Sequence, residues 1–471
     1  MRTADYLFLY MGDSTHTSHT QNFHPLDIEN MPLRWGHFKI LIVASMGQML
    51  GAGLSTLVGI ILPMIQMVIH PELSSWQQGL VGCTSLIGIT IGSVVIGKLS
   101  DRYGYLSFFK LCPLIVFLAS CSAFFTDNLW GLYINLLFMG FGIGGEYSLD
   151  SNYISELMPQ RWRTFMVGVA KASSSVGYIT MALICYYLLH KWQNPQFWNH
   201  LLLLISGTSM LMFLLRLSFK ESPGWLLMRG KYKEANNAVT HLLGKDVMLR
   251  DHKSTLKQNY SFHLFSDGNW EKVIFTGMPW ACEGFGIYGL GVFTPILLLS
   301  LGLAHDNSPA ALPIDHITQS VLLTSEINVF ILIGFILGLL CINKFHHVKM
   351  QMWGFILCAI GLLLLLCSYH FRLSARLSIA GFMIFQLFIN AGPHLLTFVM
   401  PSEVYPIEER GAGAGIAAAI GKIGAVVGVL FIPIILERLG GTWLLIICVG
   451  TQLLGAFVTR IFGYSLIPTH K

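Results

Sequence analysis

Followed along the chain, apolar stretches recur from Phe38 to Phe462 with short polar breaks between them, and many reach the roughly 20 residues that an α-helix needs to cross a bilayer. They are continuous rather than alternating, which excludes the dyad pattern of a membrane β-barrel. The pattern predicts twelve transmembrane helices at about 38–66, 77–99, 106–126, 129–155, 163–190, 197–218, 272–302, 317–343, 350–370, 374–400, 410–436 and 442–464. One long hydrophilic stretch, 219–271, parts them into two sets of six. The expected organisation is a disordered cytoplasmic tail (1–36), an N-terminal six-helix bundle (37–218), a cytoplasmic loop with short amphipathic helices (219–271), a C-terminal six-helix bundle (272–466) and a short cytoplasmic tail (467–471). The fold class is all-α membrane protein.

Composition agrees with that pattern. The chain of 471 residues is 54% hydrophobic and only 11% charged, where a soluble domain carries about 25% charged residues. The net charge of +5 comes from cations scattered over short loops, so no nucleic-acid partner is expected. If both ends lie in the cytoplasm, inner loops and the helix ends beside them hold 23 of the 29 Lys and Arg. The outer loops then hold Lys191, Arg372, Arg376 and Arg438, and Lys171 and Lys422 are left within spans. The positive-inside rule therefore puts both termini inside, in a plasma (inner) membrane. The nine cysteines all fall in or at the ends of apolar runs and form no C-x-x-C pair, so they read as small packing residues.

The two sets of six echo each other. SELMPQRWRTFMVGVAKASSSVG (155–177) and SEVYPIEERGAGAGIAAAIGKIG (402–424) match at Ser155/Ser402, Glu156/Glu403, Pro159/Pro406, Arg163/Arg410, Gly168/Gly415 and Gly177/Gly424. A weaker echo links DRYGY (101–105) to NKFHH (343–347). Two like-oriented copies of a six-span unit suit a transporter whose substrate site lies between them near mid-membrane.

Charges inside spans are costly and mark candidate sites. Glu146 and Asp150 in span 4 are four residues apart, on one helical face. Mutual repulsion and burial make either a candidate proton acceptor, with Lys171 as a structural partner in the blander reading. Glu283 in span 7 is a third proton-coupling candidate. Substrate-binding candidates are Lys171, Lys422, Glu326, His394, Asn390 and Tyr288. Glu156 with Arg163, and Glu403 with Arg410, bracket proline-containing turns and read as a gating latch together with Asp101 and Arg102. His346 and His347 read as solvated loop residues, and the sequence offers neither a metal-ligand cluster nor a nucleophile–base pair; no metal, no cofactor and no enzymatic activity are expected.

Several elements carry a family resemblance. GKLSDRYGY (97–105), KESPGWLLMRGKYKEA (220–235), PSEVYPIEERGAGAG (401–415) and GGEYSLDSNYISELMPQRWRT (144–164) resemble, in order, signature elements of the major facilitator superfamily, in its sugar-porter, organic-ion and proton-coupled phosphate and metabolite branch. The resemblance implies two pseudo-two-fold related six-helix bundles, alternating access and, for Asp101, a partner at the start of span 11. The span 7 segment MPWACEGFGIYGLGVFTPIL (278–297) lacks the paired glutamines of sugar porters, which points away from a sugar. The expected function is secondary transport of a small organic or inorganic solute by a monomer, coupled to protons as a symporter. The alternatives are a proton-coupled exporter of drugs or organic cations and, in another class, a transporter-like solute sensor.

Overall fold

The computed structural model describes residues 32–68, 73–244, 269–303, 313–405 and 410–467. Most of the expected N-terminal tail, the end of the C-terminal tail and the middle of the central loop lie outside these residues. The first six spans are α1 (Trp35–Val68), α2 (Ser75–Tyr103), α3 (Tyr105–Phe124), α4 (Leu129–Leu157), α5 (Gln160–Trp192) and α6 (Trp198–Arg216). Two short helices follow, α7 (Pro223–Met228) and α8 (Tyr232–Leu243). Span 7 is broken: α9 (Asn269–Gly284) runs into a π-helical stretch (Phe285–Leu290) and then bends by 63° into α10 (Thr294–Ser300). Span 8 is α11 (Pro313–Cys341) and span 9 is α12 (His347–His370). Span 10 is split into α13 (Ala375–Ala391) and α14 (Pro393–Val404), and α15 (Arg410–Leu466) is two spans joined at Gly440, whose φ of +80° breaks the helix. The described residues contain no strand.

Local sequence sets these boundaries. Ser74 and Gln77 form a reciprocal capping box that starts α2, satisfying donors that would otherwise be unpaired. Asn128 accepts from the Gly131 N–H to start α4, and Ser374 caps α13. Gln193, in the left-handed region at φ 46°, ends α5. Among the described residues, nine helices are long and apolar enough to span a membrane, or ten with the bent pair. Helix α4, which carries Asn135, Glu146 and Asp150, falls outside that set but packs against α1, α2 and α3; counting it, and counting α15 as two, gives the expected twelve.

The two halves repeat their packing. In the first, span 1 lies on span 5, span 2 on span 4 and span 3 on span 6; in the second, span 7 lies on span 11, span 8 on span 10 and span 9 on span 12. Across the seam α5 packs on α11 and α2 on α15, which are again equivalent pairs. Even the small-residue contacts recur. A methyl on Gly177 would strike the carbonyl of Met49 on span 1, and a methyl on Gly424 would strike that of Ala281 on span 7. These glycines were matched in the sequence repeat, and they let backbones of equivalent helices touch. Large apolar side chains such as Trp130, Leu211, Ile336, Leu340 and Phe457 are exposed on the outside, where lipid rather than water would meet them.

The loop element KESPGW ties down the loop after span 2. Glu221 accepts from the backbone N–H groups of Tyr105 (2.8 Å), Leu106 (2.9 Å) and Ser222 (2.9 Å). It thereby supplies an anion to the first turn of α3, where the helix dipole favours one. Gly104, at φ +105°, makes the turn in between, and Arg229 donates to the Arg102 carbonyl at 2.7 Å.

Candidate functional site

Glu146 and Asp150 do share one face of α4, and that face points into the N-terminal bundle. Their partner is Arg216, at the end of α6. Its two terminal nitrogens reach Glu146 Oε2 at 2.5 Å and Asp150 Oδ1 at 3.1 Å, all three side chains being 0–1% exposed. The guanidinium also donates to the carbonyls of Phe109 (2.9 Å) and Val43 (3.4 Å) and lies 3.6 Å from the Phe109 ring centroid. Gly47 on α1 leaves the room for this group, since a Cβ there would overlap the Asp150 carboxylate. The trio thus knits spans 1, 3, 4 and 6 together. Two sequence expectations are corrected here: Lys171 is not the carboxylates' partner, and Arg216 is a third cation inside the spans.

Lys171 and Lys422 come together instead at the seam. Lys171, on α5, lies 5.4 Å from the centroid of Tyr147 and 4.9 Å from that of Phe398. Lys422, on α15, lies 5.4 Å from the same Tyr147 ring and 4.7 Å from that of Tyr288, whose hydroxyl accepts from it at 3.3 Å. Ring faces stabilise ammonium groups, but each lysine has three N–H donors to satisfy. Among the described residues, neither forms an ion pair. Tyr147 follows Glu146 in sequence and therefore points off another side of α4; its hydroxyl packs on Gly51.

Beside the lysines is a second buried pair. His394 Nδ1, at the start of α14, meets Glu283 Oε1, at the end of α9, at 2.5 Å, with exposures of 7% and 1%. Both lysines are within electrostatic reach of Glu283. His394 also borders a central cavity with Thr56, Tyr178, Asn328, Gln386 and Asn390. With Ile287 and Gly291 of span 7, the wall draws on spans 1 and 5 of one half and spans 7, 8 and 10 of the other. Tyr178 is seven residues from Lys171 on α5, hence on the same helical face. His394 thus joins the cavity to the dyad, and the Phe398 ring lies against both His394 and Lys171.

Of the expected substrate residues, Lys171, Lys422, His394, Asn390 and Tyr288 thus meet at the seam. Glu326 does not: it is exposed midway along α11, on the stripe of Val329, Ile333, Ile336 and Leu340, opposite the buried face. Of the latch residues, the side chains of Asp101, Glu156 and Arg410 lie outside the described residues. Arg102 stacks on Tyr103 at 5.3 Å, and Arg163 is half-buried. Glu403 bonds His347 Nδ1 at 2.7 Å, while His347 Nε2 meets the Ile342 carbonyl at 2.9 Å. His347 is therefore no solvated loop residue; nor is His346, whose ring stacks on Tyr464. The described residues contain no group of three or more His, Cys, Asp or Glu able to hold a metal. Sequence reading missed Arg216, Tyr147 and Phe398; LMFLLRLSF (211–219), with an arginine embedded in an apolar run, was the available signal for the first.

The comparisons with known proteins agree with this architecture. An inner membrane metabolite transport protein of Escherichia coli, YgcS, is 27% identical over 445 residues, covering 94% of each chain. The arabinose-proton symporter of Bacillus subtilis is 25% identical over 393 residues, 78% of this chain and 80% of the relative. Among solved structures, the inward-open xylose transporter XylE of E. coli superposes with a TM-score of 0.74 at 19% identity, covering 92% of this chain and 97% of that one. The model of the sugar (and other) transporter family matches residues 15–466. With its repeated six-helix bundles and its polar seam, the chain belongs to that family and is a multi-pass membrane transporter, not an enzyme.

Proposed function

We propose that this transporter carries a small solute by alternating access and couples it to protons in symport. The observation that supports this best is the meeting of Lys171 from one half and Lys422 from the other on the Tyr147 ring, with the Glu283–His394 pair beside them. A site shared by two bundles changes its exposure when the bundles rock, and a buried acid within it can take up a proton in one orientation and release it in the other. Proton coupling is also the property named for the Bacillus arabinose relative. Glu146 and Asp150 then serve mainly to hold their bundle together through Arg216, and Glu283 becomes the leading proton acceptor.

The reading carries with it a monomer in the plasma (inner) membrane, both termini cytoplasmic, and Asp101, Arg102, Glu156, Arg163, Glu403 and Arg410 at the inner face as gating charges. Export of organic cations loses its main support, because the two acids that would have made the cavity anionic are bonded to an arginine. Solute counterflow by the purified protein in proteoliposomes tests the carrier; uptake with and without an inwardly acid-driven pH gradient tests the coupling. Accumulation that ignores the gradient would remove the symport reading.

A further inference from the structure

We propose that Glu283 is the internal counter-anion of the Lys171–Lys422 pair, and that the carried solute is a small anion that takes over this role when Glu283 holds a proton. The inference rests on the reading of the seam as the substrate site and names the substrate class of that site.

The charges at the seam are unbalanced in a way that points to an anion. Two ammonium groups from opposite bundles approach one tyrosine ring. Their other near neighbours are the rings of Phe398 and Tyr288 and one hydroxyl. The two span 4 carboxylates that might have offset them are turned into the N-terminal bundle and held by Arg216. One carboxylate remains within electrostatic reach of both lysines, that of Glu283. Oxygen Oε1 of this carboxylate is engaged by His394, while Oε2 is buried without a hydrogen-bond partner. The titratable groups within electrostatic reach of Glu283 are His394 from α14, which bonds it directly, Lys422 from α15, Lys171 and Tyr178 from α5, and Cys282 and Tyr288 from its own span.

Coupling follows from competition for the same cations. With Glu283 ionised, its charge partly satisfies both lysines and repels an incoming anion. When a proton enters from the open side and binds the Glu283 carboxylate, with His394 holding the other end of the hydrogen bond, the lysines are left to the solute. A monoanion and a proton then cross together and no net charge moves. On the far side the proton leaves Glu283, the carboxylate returns to the lysines, and the anion is expelled. The flat rings of Tyr147, Tyr288 and Phe398 line the same spot and suit a carboxylate carried on an aromatic or other flat body.

The test uses the full-length protein with inorganic phosphate, acetate, benzoate, glucose and tetraethylammonium as probes. Binding is read from ligand-induced thermal stabilisation at mildly acidic and mildly alkaline pH, and transport from counterflow and gradient-driven uptake. In the wild type, one or more anions bind more tightly at acidic pH. Lys171→Met and Lys422→Met each weaken that binding by roughly thirtyfold or more, as expected for loss of one partner in a desolvated charge pair. Glu283→Gln binds the anion at both pH values and exchanges it in counterflow, yet no longer accumulates it under a pH gradient. His394→Gln, kept as a second variant should Glu283→Gln not elute as a monodisperse protein, shifts the pH at which the anion binds. Counterflow of glucose or tetraethylammonium alone overturns the proposal and leaves the carrier reading standing. Anion binding without any counterflow overturns the carrier reading and leaves the anion site standing. Gradient-driven accumulation by Glu283→Gln at the wild-type level, or anion binding that does not depend on pH in the wild type, overturns the coupling.

Discussion

Replacing Arg216 by methionine separates a structural from a functional role for the span 4 carboxylates. The change removes four hydrogen bonds, to Glu146, Asp150, Phe109 and Val43, and leaves two carboxylates 0–1% exposed with no cation. Breaking a buried charge pair from one side costs about 3–5 kcal/mol, because the remaining charge keeps its desolvation penalty. That is a large share of the roughly 5–15 kcal/mol by which a folded protein is stable. Replacing a whole buried ionic cluster by neutral groups of similar size is often close to neutral. The variant Arg216→Met/Glu146→Gln/Asp150→Asn is therefore expected to recover at least half of the loss. The assay is thermal unfolding of detergent-purified protein, with the monodisperse fraction after heating as a second readout, followed by gradient-driven uptake of the triple variant. A single Arg216→Met variant as stable as wild type would refute the energetic argument. A stable triple variant that had lost proton coupling would return Glu146 or Asp150 to the transport cycle.

Two further outcomes follow from the packing. Gly424→Ala pushes a methyl into the Ala281 carbonyl and should destabilise by about 1–3 kcal/mol, the usual overpacking cost. Gly415→Ala on the same helix meets nothing within 4 Å and should be neutral or slightly stabilising, so equal melting shifts for the two would refute the close-contact reading. Glu326→Leu removes an exposed acid at the middle of a span, a position that costs about 2.5–3.5 kcal/mol in insertion. It should raise membrane expression and leave counterflow intact; loss of counterflow would bring Glu326 back into the site.

The fold was legible because its signals are local or periodic. Apolar length gave the spans, and the repeat offset gave the equivalence of Gly177 with Gly424 before any contact was known. The site was half legible. Lys171 and Lys422 stood out as cations in lipid-compatible helices, but nothing in their local sequence shows that they meet on Tyr147. The Glu283–His394 bond joins residues 111 positions apart, and neither neighbourhood advertises the other. Arg216 was hidden for a different reason. It stands at a helix end beside a basic loop, where an arginine ordinarily extends to the interface, and only tertiary packing turns it inward.

The π-helical stretch in span 7 has a consequence for how the site can move. A turn of this kind holds one surplus residue, which puts the chain beyond it out of phase with an unbroken α-helix by one step, about 100°. Tyr288, which accepts from Lys422, sits within that stretch, and the 63° bend follows directly after it. If the surplus residue is passed along to the bend, Tyr288 swings off Lys422 while α9 keeps its place against α15. Span 7 can thus change the side chains it offers to the cargo by exchanging a few of its own backbone hydrogen bonds, with no sliding of one helix past another.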